Sequence, residues 1–253
     1  MDRREIEMEA NGLRFSYPDG HEAIKDVSFT IYRGESVGII GANGSGKTTL
    51  LSLMMGILFP DEGEMKVGGV TVTKKTLPAV RRRLGLVFQD SDDQLFTTTV
   101  FDDVAFGPRN MSLDEKEVKA RVAEALEMAG IPHLADRAPY RLSGGEKRAC
   151  AIASVLSMKP DVLIMDEPSS GLDPKSRRKL IDLLNGFRLT KVITSHDLDM
   201  ILQTCDRVIV LKDGKVAANG TTPEVLTNEE LLEKCGLETP LSLRKCPVCG
   251  RIK

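Results

Sequence analysis

Between positions 41 and 48 the chain reads Gly41-Ala42-Asn43-Gly44-Ser45-Gly46-Lys47-Thr48. That run fits the spacing G-x-x-x-x-G-K-[ST]. Glycines so placed let backbone N–H groups turn inward around phosphate oxygens. Lys47 adds a positive charge at the β- and γ-phosphates of a nucleotide, and Thr48 offers a hydroxyl to Mg²⁺. A helix opening at Lys47 aims its positive end at the same anion. Gly41, Asn43, Gly44, Ser45, Gly46, Lys47, Thr48 and Thr49 are therefore the expected ATP contacts.

Two further runs carry chemistry. Residues 162–165 are apolar and end in Asp166-Glu167. A buried strand that ends in two carboxylates beside a phosphate loop brings Asp166 to a metal ion. It leaves Glu167 to orient and deprotonate a water. Leu142-Ser143-Gly144-Gly145-Glu146 precedes a long helical pattern. Ser143, Gly144 and Gly145 would present N–H groups at a helix N-terminus, a second anion site. One chain with two separate phosphate-binding surfaces points to two chains that share nucleotides.

Both loops need elements to hold them. Ile6, Met8, Leu13 and Phe15, then Ile24, Val27, Phe29 and Ile31, read as antiparallel strands joined at Pro18-Asp19-Gly20. Residues 36–40 form a short buried strand feeding the first glycine loop, and residues 47–58 a helix. Residues 64–72 read as a strand bent at Gly68-Gly69, and 84–88 as a further buried strand. From 99 to 156 the pattern turns helical. Residues 113–129 have apolar positions at helical spacing, with Ser112 and Glu115 as a capping box and Gly130 as the stop. Runs at 162–165, 192–194 and 208–211 are strand-like with helices between, which implies a parallel sheet. Residues 223–235 suit a short helical pair, and 242–253 a loosely held end.

Composition narrows the class. The chain has 253 residues, and 35 Lys+Arg against 37 Asp+Glu leave a formal net charge of -2. Such a length buries a substantial core, and the balance argues against a nucleic-acid binder. No stretch is long and apolar enough to span a bilayer, and the charged first nine residues do not read as a signal peptide. Five cysteines without a secretory signal indicate a reducing compartment. Cys150 and Cys205 fall in apolar runs as small core residues. Cys246-Pro247-Val248-Cys249-Gly250 has the form of half a zinc site, with Cys235 as a third ligand or a second tail completing it.

Over residues 5–235 the chain resembles the ATP-binding subunits of ABC transporters. The phosphate loop, Gln89, the 142–146 signature, Asp166-Glu167, the Ser170-Gly171-Leu172-Asp173 loop and His196 occur in that family's order. The resemblance implies an α/β P-loop fold of the ABC ATPase kind. Its parts are an antiparallel β subdomain, a parallel core sheet, a helical subdomain inserted over about 90–160, and a tail at 236–253. It implies that Gln89 meets Mg²⁺ and the attacking water, that His196 grips the γ-phosphate, that Asp173 couples two sites across a dimer, and that Tyr17 stacks on adenine. Glu146 departs from the pattern, since the family more often has Gln there. It would either stand near the γ-phosphate or turn towards Lys147 or Arg148.

The run 88–96, with Gln89, Asp90, Asp92 and Asp93, followed by 104–108, resembles the ATPases of energy-coupling-factor transporters, especially those for cobalt and nickel. The resemblance implies a groove for a coupling helix of a transmembrane subunit docking near Asp92, a separate substrate-binding membrane protein, and a second ATPase subunit, identical or paralogous. The expected location is the cytoplasmic face of the cell membrane, as a peripheral subunit that hydrolyses ATP to ADP and phosphate. Uptake of a B vitamin is the competing substrate class. A soluble ABC ATPase of translation or DNA repair would need two cassettes or a long coiled-coil insertion. A P-loop kinase would not need Ser143-Gly144-Gly145 or His196.

Overall fold

The computed structural model describes residues 5–244. These fall into two compact units, one of residues 5–81 with 189–244, the other of residues 82–188.

In the first unit, β1 (Ile6–Ser16) and β2 (Glu22–Tyr32) pair antiparallel around the expected turn, where Gly20 N donates to Tyr17 O. The buried positions of β1 change parity, from Met8 and Ala10 to Leu13 and Phe15. The register shift between Ala10 and Leu13 accounts for this: Gly12, at φ 57, adds one residue to the strand and turns the next apolar pair back inward. β4 (Glu62–Val67) and β5 (Val70–Thr71) complete a four-stranded antiparallel sheet of order β2-β1-β4-β5.

The same unit holds β3 (Ser36–Ile40), β8 (Thr190–Thr194), β9 (Arg207–Lys212) and β10 (Lys215–Thr221). β3 pairs in parallel with β8 on one side and β9 on the other, and all five of its residues are buried. A strand covered on both faces must be apolar throughout, and Val37, Ile39 and Ile40 meet that demand. β10 joins β9 antiparallel; the sequence reading missed it, because its alternating Ala, Asn and Gly lack the apolar run of a core strand.

Helices of this unit include α1 (Lys47–Met54), α7 (Leu198–Thr204), and the short pair α8 (Thr222–Leu226) and α9 (Glu229–Lys234). α1 stops four residues before the expected end at 58. Gly56 adopts φ 62, and a Cβ there would lie 2.3 Å from Leu77 Cδ2 on α2 (Leu77–Arg83).

In the second unit β6 (Leu84–Val87) and β7 (Val162–Asp166) pair in parallel. The helical stretch consists of α3 (Val100–Asn110), α4 (Glu115–Met128) and α5 (Gly144–Leu156), followed after β7 by α6 (Pro174–Gly186). α4 starts later than expected. Asp114, not Ser112, accepts from Glu117 N as the N-cap, while Ser112 sits in a turn at φ 59. Gly130 does end α4, at φ 70. Among the described residues no helix is long and apolar enough to cross a membrane.

Candidate nucleotide-binding and catalytic site

The phosphate loop is delivered by the buried strand β3. Gly46, the residue before α1, has φ 104 and lies so near β2 that a Cβ would stand 2.8 Å from Ala23 O. Only glycine fits that conformation and that approach. No side chain caps α1, and its first turn has no acidic residue. The helix thus presents its uncapped N–H groups and positive end to an anion. Lys47 is buried and donates from Nζ to Gly41 O at 2.8 Å and Ala42 O at 3.2 Å, so its charge lies along the loop. The Ser45 hydroxyl is buried inside the same loop and has no hydrogen-bond partner among the described residues. A phosphate oxygen is the group that would satisfy it.

Beside the loop, the Tyr17 hydroxyl and Thr49 Oγ1 are 3.0 Å apart. Tyr17 packs edge-on against Phe15, stacks with His21 at a centroid distance of 6.5 Å, and keeps 37% of its surface exposed. His196 follows the end of β8 on an exposed bend, just before Asp197 caps α7. Tyr17, residues 41–49 and His196 all belong to the first unit.

Gln89, Ser143, Gly144, Gly145, Asp166, Glu167 and Asp173 belong to the second. Asp166 ends β7 and Glu167 follows it, both half-buried. Glu167 has φ 45, a left-handed conformation that costs a non-glycine residue about 1–3 kcal/mol and is concentrated at functional sites. The chain turns next through Ser170 N donating to Glu167 O. Asp173 is the N-cap of α6, accepting from Lys175 N and Ser176 N, with Ser176 Oγ donating to its other carboxylate oxygen at 2.6 Å. These bonds, that from the Ser176 hydroxyl first, hold its carboxyl below the usual range.

The signature loop is built differently from the phosphate loop. Ser143 caps α5 in a complete capping box: its N–H and hydroxyl donate to Glu146 Oε2 at 2.8 and 2.7 Å. Glu146 therefore turns neither towards Lys147 nor towards Arg148, as the sequence allowed, but back on the signature serine. Its carboxyl is held low, chiefly by the Ser143 hydroxyl. Gly145 is needed for close packing, since a Cβ would lie 2.5 Å from Ser176 Oγ at the start of α6.

The segment carrying Gln89 runs along α5. Lys147 Nζ meets Asp92 Oδ1 at 2.5 Å, and Arg148 donates to Phe88 O and Gln89 O at 2.6 Å each. Gln94 bonds Ala151 O and Ser154 Oγ from its amide nitrogen and accepts from Phe88 N. A cleft of about 620 Å³ opens here, bounded by Gln89, Asp92, Leu142, Gly144 and Leu172. Asp92 keeps two-thirds of its side chain exposed. Sequence reasoning missed Arg148 and Gln94. The signal for Arg148 was its helical spacing with Ile152 and Val155, which puts a cation on the buried face of α5.

Cys150 and Cys205 are buried, and burial pushes both thiols up to about 12. Cys235 is buried too and its thiol is raised for the same reason. Cys246 and Cys249 lie outside the described residues. Among the described residues no group of His, Cys, Asp and Glu is placed to hold a metal ion.

These features define a nucleotide-hydrolysing α/β ATPase. The model of the ABC transporter family matches residues 24–170, and the chain belongs to that family: it is an ATP-binding, ATP-hydrolysing cassette. It is 56% identical to a putative ABC transporter ATP-binding protein of Geobacter sulfurreducens, over 96% of this chain and 98% of that one. It is 43% identical to the energy-coupling factor transporter ATP-binding protein EcfA of Carboxydothermus hydrogenoformans, over 94% of this chain and 89% of that one. Among solved structures it is similar to cbiO1 of Clostridium perfringens, described as part of the ABC transporter complex cbiONQ. The TM-score is 0.83, with 39% identity over 91% of this chain and 94% of that one.

Proposed function

We propose that the chain is the ATPase subunit of an energy-coupling-factor importer, takes up cobalt or nickel ions, and works as half of a nucleotide-sandwich dimer on the cytoplasmic face of the membrane. The observation that carries the sandwich is the presence of two glycine-bearing helix N-termini in one chain, Gly46 before α1 and Gly144-Gly145 opening α5. The ATP-binding domain spans 5–235, with its helical subdomain at about 90–160 and a tail at 236–253.

Tyr17 and residues 41–49 bind one nucleotide, and Ser143, Gly144 and Gly145 bind the γ-phosphate of the partner's. Glu167 takes a proton from the attacking water, His196 contacts the γ-phosphate, and Asp173 links the two sites. Thr48, Gln89 and Asp166 supply only oxygen donors, which suits Mg²⁺ held jointly with substrate phosphates. When bound, Mg²⁺ would supply charge neutralisation at the nucleotide phosphates.

The membrane subunit docks at the acidic segment near Asp92, and a separate membrane protein recognises the ion. The likeness to EcfA and cbiO1 supports this assignment. So does the open cleft beside Gln89 and Asp92.

Uptake tests the proposal. Cells lacking this chain should lose uptake of labelled cobalt or nickel, regain it with the wild-type chain, and fail to regain it with Glu167→Gln. Metal uptake that persists without the chain, alongside lost vitamin uptake, rejects the substrate assignment.

A further inference from the structure

Arg148 is a charged side chain where an apolar one is expected. Only 4% of it is exposed, on a face of α5 shared with the fully buried Ile152 and with Val155. Burial pushes its pKa down, and the Asp90 carboxylate offsets this only in part. Among the described residues no carboxylate pairs with the guanidinium within 4 Å and Nε has no hydrogen-bond partner, while Nη1 and Nη2 donate to the Phe88 and Gln89 carbonyls. Burying a cation on two neutral carbonyls is a poor way to stabilise a helix, and a well-packed apolar side chain of similar volume usually does as well or better. Its gain is positional: two bonds from one rigid fork fix two successive peptides. Those peptides flank the Gln89 Cα, so the fork sets where the exposed Gln89 side chain starts. The Lys147–Asp92 and Gln94–Ser154 contacts fasten the rest of the segment to the same helix.

We infer that Arg148 is a positioning residue for hydrolysis, holding Gln89 in register with the signature helix so that Gln89 and Ser143 move as one body. The inference rests on the reading above that Gln89 serves the reaction. The chain between Val87 and Ser91 is neither helix nor strand. Without the fork, Gln89 would sample several positions at the site, and turnover would fall while the phosphate loop kept its nucleotide.

The test uses the purified full chain and four variants: Arg148→Met, Arg148→Lys, Gln89→Ala and the Gln89→Ala/Arg148→Met double. Arg148→Met should melt at or above the wild-type temperature yet lose about 10- to 100-fold in kcat, the usual range for residues that orient a functional group. Its affinity for a fluorescent ATP analogue should be unchanged. Arg148→Lys keeps one donor group in place and should recover part of kcat; it also carries the test if the Met variant does not fold. The double variant should turn over no more slowly than Gln89→Ala alone, because both changes remove one contribution.

Wild-type turnover in Arg148→Met beside an impaired Gln89→Ala overturns the positioning role alone. So does a double variant slowed by the product of the two single effects. Normal turnover in Gln89→Ala overturns the reading of Gln89, and the inference with it.

Discussion

The two helices with glycines at their N-terminal ends, α1 and α5, meet the same physical problem in opposite ways. Each begins with N–H groups that have no partner within the helix. At α1 no side chain among the described residues caps the helix: the residue before it is Gly46, and no acid stands in its first turn. At α5 the chain supplies its own anion. Glu146 folds back on the Ser143 N–H and hydroxyl, and Ser143 in turn accepts from Glu146 N. The α1 end is left uncapped, whereas the Ser143 N–H and hydroxyl at α5 already hold a carboxylate. On the function proposed above, a single chain should bind nucleotide through α1 unaided, whereas a γ-phosphate reaching the Ser143 hydroxyl at α5 would have to displace the Glu146 carboxylate.

The strongest way to break this comparison is to separate binding from turnover at the acidic strand end. Glu167→Gln should keep ATP affinity and lose about 10²–10⁴-fold in rate, the usual cost of removing a general base. Loss of that charge should also favour the ATP-bound dimer. Steady-state phosphate release at saturating ATP checks it, and near-normal turnover would remove Glu167 from its role.

Lys47→Ala attacks the open site itself. Lys47 is the only charge the loop offers a nucleotide, and its ammonium already lies on the Gly41 and Ala42 carbonyls. Affinity for an ATP analogue should fall steeply in the isolated chain. Unchanged affinity would mean that α1 is not the primary site.

Ser143→Arg tests the occupied site. It removes the cap hydroxyl and sets a bulky side chain at the mouth of α5, so nucleotide binding to one chain should survive while ATP-dependent dimerisation is lost. Size-exclusion chromatography in a Glu167→Gln background reads the result; a double mutant that dimerises like its parent would refute shared nucleotides.

The contrast between the two sites was only half legible in the sequence. The placement of the glycine loop before α1 was readable because its glycines and Lys47 suit a fixed local geometry between a buried strand and a helix. The strands β1, β2 and β3 were readable from alternation and apolar runs. The S-x-x-E pattern was harder to use. It occurs at Ser112–Glu115, where Asp114 takes the cap instead, and at Ser143–Glu146, where the box is complete. The pattern alone does not settle which polar residue reaches the N–H groups; the backbone entering the helix does, and Ser112 enters at φ 59. Arg148 was obscured because its partners are backbone carbonyls 59 and 60 residues away in sequence, and a carbonyl leaves no side-chain signature. The left-handed backbone of Glu167 was likewise invisible, since nothing in the residue type announces it.

The smallest expected effect is the most specific to α5. Glu146→Gln keeps the length of the side chain and removes its charge, making this end more like α1. Two consequences follow with opposite signs. Stability should fall slightly, by roughly 1 kcal/mol or less, the scale of a surface helix cap. Because the Ser143 bonds depress the Glu146 carboxyl in the folded chain, that contribution is fully present above the unfolded carboxylate pKa and disappears as the pH falls through the lower folded value. Wild type and Glu146→Gln should thus differ in melting temperature at neutral pH and converge in acid. Closure should change the other way. A γ-phosphate arriving at Ser143 no longer meets a carboxylate on the same hydroxyl, so in a Glu167→Gln background the Glu146→Gln chain should dimerise at a lower ATP concentration. If it needs more ATP than the Glu146 form, the carboxylate is not a competitor for the site, and the opposition between an open and an occupied helix end fails at α5.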